Sequence, residues 1–353
     1  MQLGMIGSDL LHALEYASIL NAHPGPAFPK AKVDHSAAVG GMAPPQFRCE
    51  GAWDPELPSA DQILADSAFR DAKVTSWWGP DTATVKQWAA QTGVHHVAAS
   101  PEAMLGLVDG VLVCTWHGKD HAALARPFVE AGLPVFVDKP FTESTQEARE
   151  LLSLAERSGS VVFTSSPWKW SPSVLSLTAQ ASGLGDIKTC IASGPYLDNA
   201  YFYTTHMVEV GQAILGPGAV SVQAQHTPQA RVIIVTYDDG RVLVVNALQG
   251  AAATRHVVLY GSKGYLEADI GEAQKEAGMV ETLARFLHGA AEGRPPLPYT
   301  YPLEATAVME AAQASVDAGG RPVRLDTILE GPISGQEFAS GAVVPPLKKE
   351  GTS

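Results

Sequence analysis

From Leu3 to Thr164 the chain alternates short apolar runs with stretches of helical period, and this alternation leaves few folds open. Helices placed between consecutive strands act as crossovers, and crossovers make the strands parallel. The runs Leu3–Ile6, Val94–Ala98, Val108–Cys114, Pro134–Val137 and Val161–Thr164 read as buried strands, and Lys32–Val39 reads as a second strand of the series. Leu10–Leu20, Thr82–Thr92 and Asp120–Ala131 carry helical spacing, and Pro101–Gly106 opens a further helical pattern. Asp81 is placed to cap one of these helices, and Ser144-Thr145-Gln146-Glu147 is a capping box opening another. Residues 40–80 are rich in Gly, Pro and Trp (Trp53, Trp77, Trp78) and form no single clean strand–helix unit. They read as extra packing, with a lid or an oligomer contact as alternatives.

Beyond about residue 170 the pattern changes. Ile187–Ser193, Ser221–His226, Arg231–Tyr237, Arg241–Leu248 and His256–Tyr260 read as strands, and Asp238-Asp239-Gly240 suits a hairpin turn. Few helices intervene, so the strands are expected to form a largely antiparallel sheet. A last helix over Leu303–Ala318 stops at Gly319-Gly320. A chain of 353 residues exceeds what one core usually supports. The expected domains are therefore 1–166 and 167–330, with an irregular tail at 331–353. The fold class is α/β followed by α+β: a Rossmann-type doubly wound parallel sheet, then a domain with a large, mostly antiparallel sheet.

The net charge of −13 argues against nucleic acid or an anionic membrane as partner, since either calls for a basic face. Cys49, Cys114 and Cys190 lack metal-ligand spacing, and Cys114 lies in an apolar run as a small core residue. No run is long enough for a membrane span and no leader opens the chain, so a cytoplasmic location is expected.

The chemistry is expected at Pro134-Val-Phe-Val-Asp-Lys-Pro140, where an apolar strand ends in an acid, a lysine and a proline. Open parallel sheets bind ligands at the carboxyl ends of their strands. There Lys139 can donate a proton or a hydrogen bond to a reacting oxygen. Pro140 fixes its own φ and biases Lys139 towards extended backbone. A polar cluster is expected at the same edge, with Asp9 and His12 after the first strand and His117 and His121 after Val108–Cys114. Such a set can hold a divalent metal, cap helices, hydrogen-bond within itself or meet a ligand phosphate.

The order of segments resembles the glucose–fructose oxidoreductase and inositol dehydrogenase (Gfo/Idh/MocA) family over roughly residues 1–325. The resemblance rests on Val108-Asp-Gly-Val-Leu-Val-Cys-Thr115, on His121, and on Ala131-Gly-Leu-Pro-Val-Phe-Val-Asp-Lys-Pro140, with Asp138 standing for the family's glutamate. Trp168-Lys-Trp-Ser-Pro172, Gly183-Leu-Gly-Asp-Ile187, Gly261-Ser-Lys-Gly-Tyr-Leu-Glu267 and Gly319-Gly-Arg-Pro-Val323 match later landmarks.

The resemblance implies NAD or NADP on the first domain, near Gly7, Ser8, Asp9, His12, Thr115, His121, Asp138 and Lys139. It implies a polyol or sugar-like substrate against the second domain, near Trp168, Lys169, Trp170, Tyr203 and His206. Lys139 and His206 are the implied catalytic pair. Phe202 stands where the family often has an acid, so Tyr203 or Tyr201 is the substitute proton-transfer partner, with aromatic packing as the alternative. The unused face of the second sheet implies a homodimer or homotetramer.

Two departures bear on this reading. The dinucleotide fingerprint wants GxGxxG, whereas Gly7-Ser-Asp9-Leu-Leu-His12 puts an acid at the second glycine and an imidazole at the third. Asp34 has roughly the spacing of a ribose-binding acid but lies early in its strand, and Arg48 is a candidate contact for a 2′-phosphate. The leading expectation is an NAD(P)-dependent oxidoreductase moving hydride to or from a sugar, cyclitol or related hydroxy compound. The alternatives are the same fold without net redox, as a lyase, hydrolase or isomerase, and a non-catalytic binding protein.

Overall fold

The structure is a computed structural model that describes residues 1–21, 67–196, 200–250, 255–271 and 274–329. Six strands form the first sheet: β1 (Gln2–Ile6), β2 (Lys73–Trp78), β3 (His96–Val97), β4 (Gly110–Val113), β5 (Val135–Val137) and β6 (Val162–Thr164). All are parallel, in the order β3-β2-β1-β4-β5-β6. The order reverses between β1 and β4, and that switch point is where ligands bind in such sheets. The longer described helices between its strands are α1 (Leu11–Asn21), α2 (Thr82–Thr92), α3 (Gly118–Glu130) and α4 (Thr145–Ser158). Their starts follow local chemistry. Asp81 accepts hydrogen bonds from the Ala83 and Thr84 amides, and Ser144 Oγ accepts one from the Glu147 amide.

The second sheet has seven strands: β7 (Ile187–Tyr196), β8 (Ala219–His226), β9 (Ala230–Tyr237), β10 (Val242–Gln249), β11 (His256–Gly261), β12 (Gly264–Asp269) and β13 (Val323–Arg324). Its order is β12-β11-β7-β10-β9-β8-β13. Every pair is antiparallel except β7 with β10, which is parallel. The hairpin at 238–240 joins β9 to β10, and Gly240 takes the positive φ (85°) that the turn requires. The longer helices later in the chain are α5 (Pro172–Gln180), α6 (Ala200–Leu215), α7 (Lys275–Glu292) and α8 (Thr300–Asp317), of which α7 packs into the core of the first sheet, with Phe286 against Phe136. Helix α6 packs on β7 and β10 and α8 on β8, over a core that includes Cys190, Ala192, Val222, Ile233, Leu243 and Val257. Each such side chain contributes roughly 1.5–3 kcal/mol when fully buried.

Several expectations change. The second strand of the first sheet is Lys73–Trp78; Lys32–Val39, Asp34, Arg48 and Trp53 lie outside the described residues. Trp77 and Trp78 therefore belong to the sheet itself, and Trp77 donates its indole N–H to the Gly7 carbonyl at 2.8 Å. The glycine- and proline-rich surroundings obscured a run that suits a strand, since tryptophan and threonine favour one. Pro101–Gly106 yields only a 3-10 turn at Glu102–Met104, and Gly106 (φ 80°) closes it. The second half holds more helix than expected, above all α7. No helix among the described residues is long and apolar enough to cross a membrane.

Candidate active site at the junction of the two sheets

The site starts at β1. Gly7 ends that strand with φ 140°, and a Cβ there would sit 2.0 Å from the Cys114 carbonyl oxygen. Only glycine lets the β1 and β4 ends close in this way. The next residues tie three strand ends together. Ser8 Oγ accepts from the Asp81 amide beyond β2, and Asp9 accepts from the Trp116 amide beyond β4. Asp9 is exposed, and its carboxylate faces the loop after β4. Thr115 Oγ1 is buried at the β4 end with no hydrogen-bond partner among the described residues. A glycine cradle, a helix start and an unmet hydroxyl at the switch point fit the phosphates and ribose of a dinucleotide. The charge of Asp9 opposes the phosphates there.

His12 and Asp138 meet at 2.7 Å between Nδ1 and Oδ2, both buried. Burial pushes the Asp138 carboxyl up, but His12, Lys139 and His121 outweigh it and hold it below the usual carboxylate range. His121 does not face the cleft. It is 0% exposed, and its ring lies between the Thr115 carbonyl (3.1 Å) and the Pro140 carbonyl (2.8 Å). It therefore braces the turn that carries Lys139, and any influence on a ligand passes through that turn. His117 is exposed at the start of α3. The four-residue polar cluster is thus split, and no group of three or more metal-ligating side chains forms among the described residues.

Lys139 is buried at the end of β5, and its peptide bond to Pro140 is cis. Burial drives its ammonium well below the usual lysine range; Asp138 and Glu209 oppose the shift, while Lys275 and Arg255 add to it. His206 comes from α6 on the other half of the molecule. Its Nδ1 lies 2.7 Å from Ser166 Oγ, and its ring sits beside Trp168 and Tyr203, at 6.4 Å between ring centroids in each case. Burial first, then the charges of Lys139, Arg255, His12 and Lys275, hold His206 well below the usual histidine range. At neutral pH His206 is therefore an uncharged imidazole able to accept a proton.

The aromatic turn divides into three roles. It is a buried 3-10 turn, Pro167–Trp170, packed against α7 so closely that a Cβ on Gly278 would lie 2.0 Å from the Pro167 carbonyl. Trp168 stands next to His206, with the Arg255 guanidinium 3.8 Å above its ring. Trp170, expected at the substrate, instead lies in the core, stacked under Arg285 and donating to Ser165 Oγ. Lys169 lines a small recess together with Pro140, Glu209, Gln212 and Tyr301. Burial lowers its ammonium to about 8. Tyr203 is half-buried and touches Trp116 and His206. Sequence reasoning missed Ser166, Arg255, Lys275 and the His12–Asp138 pair. Only Ser166, just past an apolar strand, carried a local signal.

A parallel sheet in dinucleotide-binding order is thus joined to a large mixed sheet, with a buried lysine and a buried histidine near their junction. Residues 59–166 match the family described as oxidoreductase family, NAD-binding Rossmann fold, GFO_IDH_MocA. The uncharacterized oxidoreductase YdgJ of Escherichia coli (strain K12) is 28% identical over 169 residues, which cover 41% of this chain and 49% of YdgJ. The match thus spans about half the length of that curated relative. Among solved structures, myo-inositol dehydrogenase from Lactobacillus casei, in complex with NAD(H) and myo-inositol, superposes with a TM-score of 0.71 at 13% identity, covering 96% of this chain and 98% of that one. An oxidoreductase from Agrobacterium radiobacter, in complex with NAD⁺, L-tartaric acid and magnesium, gives 0.69 at 14% identity, covering 93% and 99%. At these identities the structures show a shared fold.

Proposed function

We propose that this chain is an NAD(P)-dependent dehydrogenase acting on a polyol, sugar or cyclitol held between the two sheets. The observation that carries the reading is the meeting of Lys139 and His206, from opposite halves of the chain, as buried groups whose proton affinities are both lowered. The shift makes the lysine a readier proton donor and keeps the imidazole uncharged and open to a proton, an arrangement that suits proton transfer to and from a hydroxyl oxygen. The nicotinamide, when bound, supplies the hydride acceptor or donor. Lys139 holds the reacting oxygen and His206 takes its proton, with Ser166 orienting the imidazole. Tyr203 flanks His206 and offers a flat face to a sugar ring, while Trp168, buried under Arg255, backs the imidazole.

Gly7, Ser8, Thr115 and the start of α1 would hold the dinucleotide. Asp81, at the end of β2, stands where a ribose-binding acid belongs. Its carboxyl lies below the usual range, first through the Thr84 hydroxyl and then the Thr84 and Ala83 amides. A carboxylate there accepts from a free ribose 2′-hydroxyl and repels a 2′-phosphate, which favours NAD over NADP. Calorimetric titration with both oxidised dinucleotides, followed by a polyol and sugar screen for nicotinamide reduction, tests the reading. Micromolar affinity for NAD⁺, with NADP⁺ gaining on it in Asp81→Ala, supports it; no binding by either overturns it. Asp9 at the diphosphate position favours the second reading, chemistry without net redox, and that absence of binding would select it.

A further inference from the structure

We propose that His12 is a positioning residue for Lys139: through its buried hydrogen bond to Asp138 it keeps a carboxylate charge on the turn that carries the lysine, and so sets the charge state of Lys139. The activity this serves rests on the dehydrogenase reading; the pair itself does not. His12 occupies the third fingerprint position, where glycine ordinarily serves close helix–strand packing. Here the imidazole instead reaches from the first turn of α1, past the end of β4, to the residue after β5. The two residues stand 126 apart in sequence, and the contact is 2.7 Å.

Asp138 is 0% exposed, and its Oδ1 has no hydrogen-bond partner among the described residues, so the bond from His12 to Oδ2 joins the charges of Lys139 and His121 in stabilising the carboxylate, with His12 the largest of the three. A buried carboxylate that loses its partner takes up a proton rather than remain charged. Asp138 also faces His121 of α3 and the Tyr16 phenol and Cys114 thiol, and burial keeps both of those neutral by pushing them well up. Lys139 faces Asp138 and Glu209 as acids and Lys275 and Arg255 as cations, with His206 across the cleft. Lys275 is itself paired with Glu15 at 2.8 Å. Asp138 is the larger of the two acidic influences on Lys139. Removing its charge takes away the larger of these two acidic influences and leaves the opposing charges of Lys275 and Arg255 in place.

The test follows Lys139 directly, in the full-length protein labelled with ¹³C-lysine. The Cε signal of Lys139 is identified by its loss in Lys139→Met, and thermal melting first confirms that each variant is folded. His12→Leu and Asp138→Asn should each lower the Lys139 titration midpoint by about one pH unit or more. His12→Asn, whose amide can still donate to Asp138, should leave the midpoint close to wild type. An unmoved midpoint in His12→Leu or in Asp138→Asn overturns the proposal, and so does a His12→Asn shift as large as that of His12→Leu. NAD-linked turnover against pH forms a separate arm. If the midpoints move as expected but no dinucleotide supports turnover, the dehydrogenase reading fails and the pair stands. If turnover is present and the midpoints do not move, only the role of His12 fails.

Discussion

Lys139 concentrates the conflict between stability and function in a single side chain. Its ammonium is buried among other charges, and burial disfavours the charged form. Lys139→Met keeps length and apolar volume while deleting the amine. We expect the thermal midpoint to hold or rise, and turnover to fall by at least about a hundredfold, the usual scale of a lost proton-transfer group. A variant with wild-type turnover would remove Lys139 from the chemistry. His206 gives a complementary pH effect. Its folded pKa lies below its unfolded value, so the unfolded chain binds the extra proton first as pH falls. Stability from this group is present above pH ~6.5 and is lost as pH drops below it. His206→Gln should flatten that slope in melts taken across the acid range.

Two helices set the second half of the site. Helix α8 carries Glu304, whose carboxylate accepts from the Gly218 and Ala219 amides and from Gln212. Burial outweighs those bonds and raises it to about 7 from 4.5. The native state therefore holds a proton there that the unfolded state releases, and stability falls as pH rises from about 4.5 to 7. The loss is on the order of 3 kcal/mol. Glu304→Gln should remove this dependence, and a slope equal to wild type would refute the assignment. Helix α7 controls the aromatic turn through Gly278. Gly278→Ala forces the Pro167 carbonyl away, at a cost of roughly 1–3 kcal/mol. Because the turn holds Trp168 beside His206, KM should rise more than the stability loss explains, and unchanged KM would show the turn to be structural only.

At the scale of the whole molecule, the outer face of the seven-stranded sheet is the surface proposed for a second copy of the chain. Ile191, Val244 and Val258 are only half-covered there, and Ile234, Tyr260 and Tyr265 are exposed at 37%, 42% and 60%. Tyr260 and Tyr265 pair across β11 and β12 and so share that face. Apolar patches of this kind mark interfaces more often than free surface. Light scattering on the eluted protein should give at least a dimer, and Tyr265→Asp should shift it towards monomer. A wild-type monomer at micromolar concentration would refute the proposal.

What the sequence determined is the part written in contiguous residues. Val108–Cys114 and Pro134–Val137 are apolar throughout because parallel strands are buried on both faces, and that pattern needs no tertiary knowledge. Lys139 was legible for the same reason, as a charge set directly after such a run. Asp81 and Ser144 announced their helices through cap chemistry that spans three residues. Helix α7 was not legible: residues all round it are buried, including Glu281 and Arg285, so it shows no clean polar stripe. β2 was hidden by its glycine- and proline-rich flanks. The site itself was decided only by the fold. Nothing local separates Trp168, buried beside His206, from Trp170, buried under Arg285 two residues later. His12 found Asp138, and Lys139 met His206, only when the strand ends and α6 converged, because hydrogen bonds and charges act over a few ångströms of space, whatever the separation along the chain.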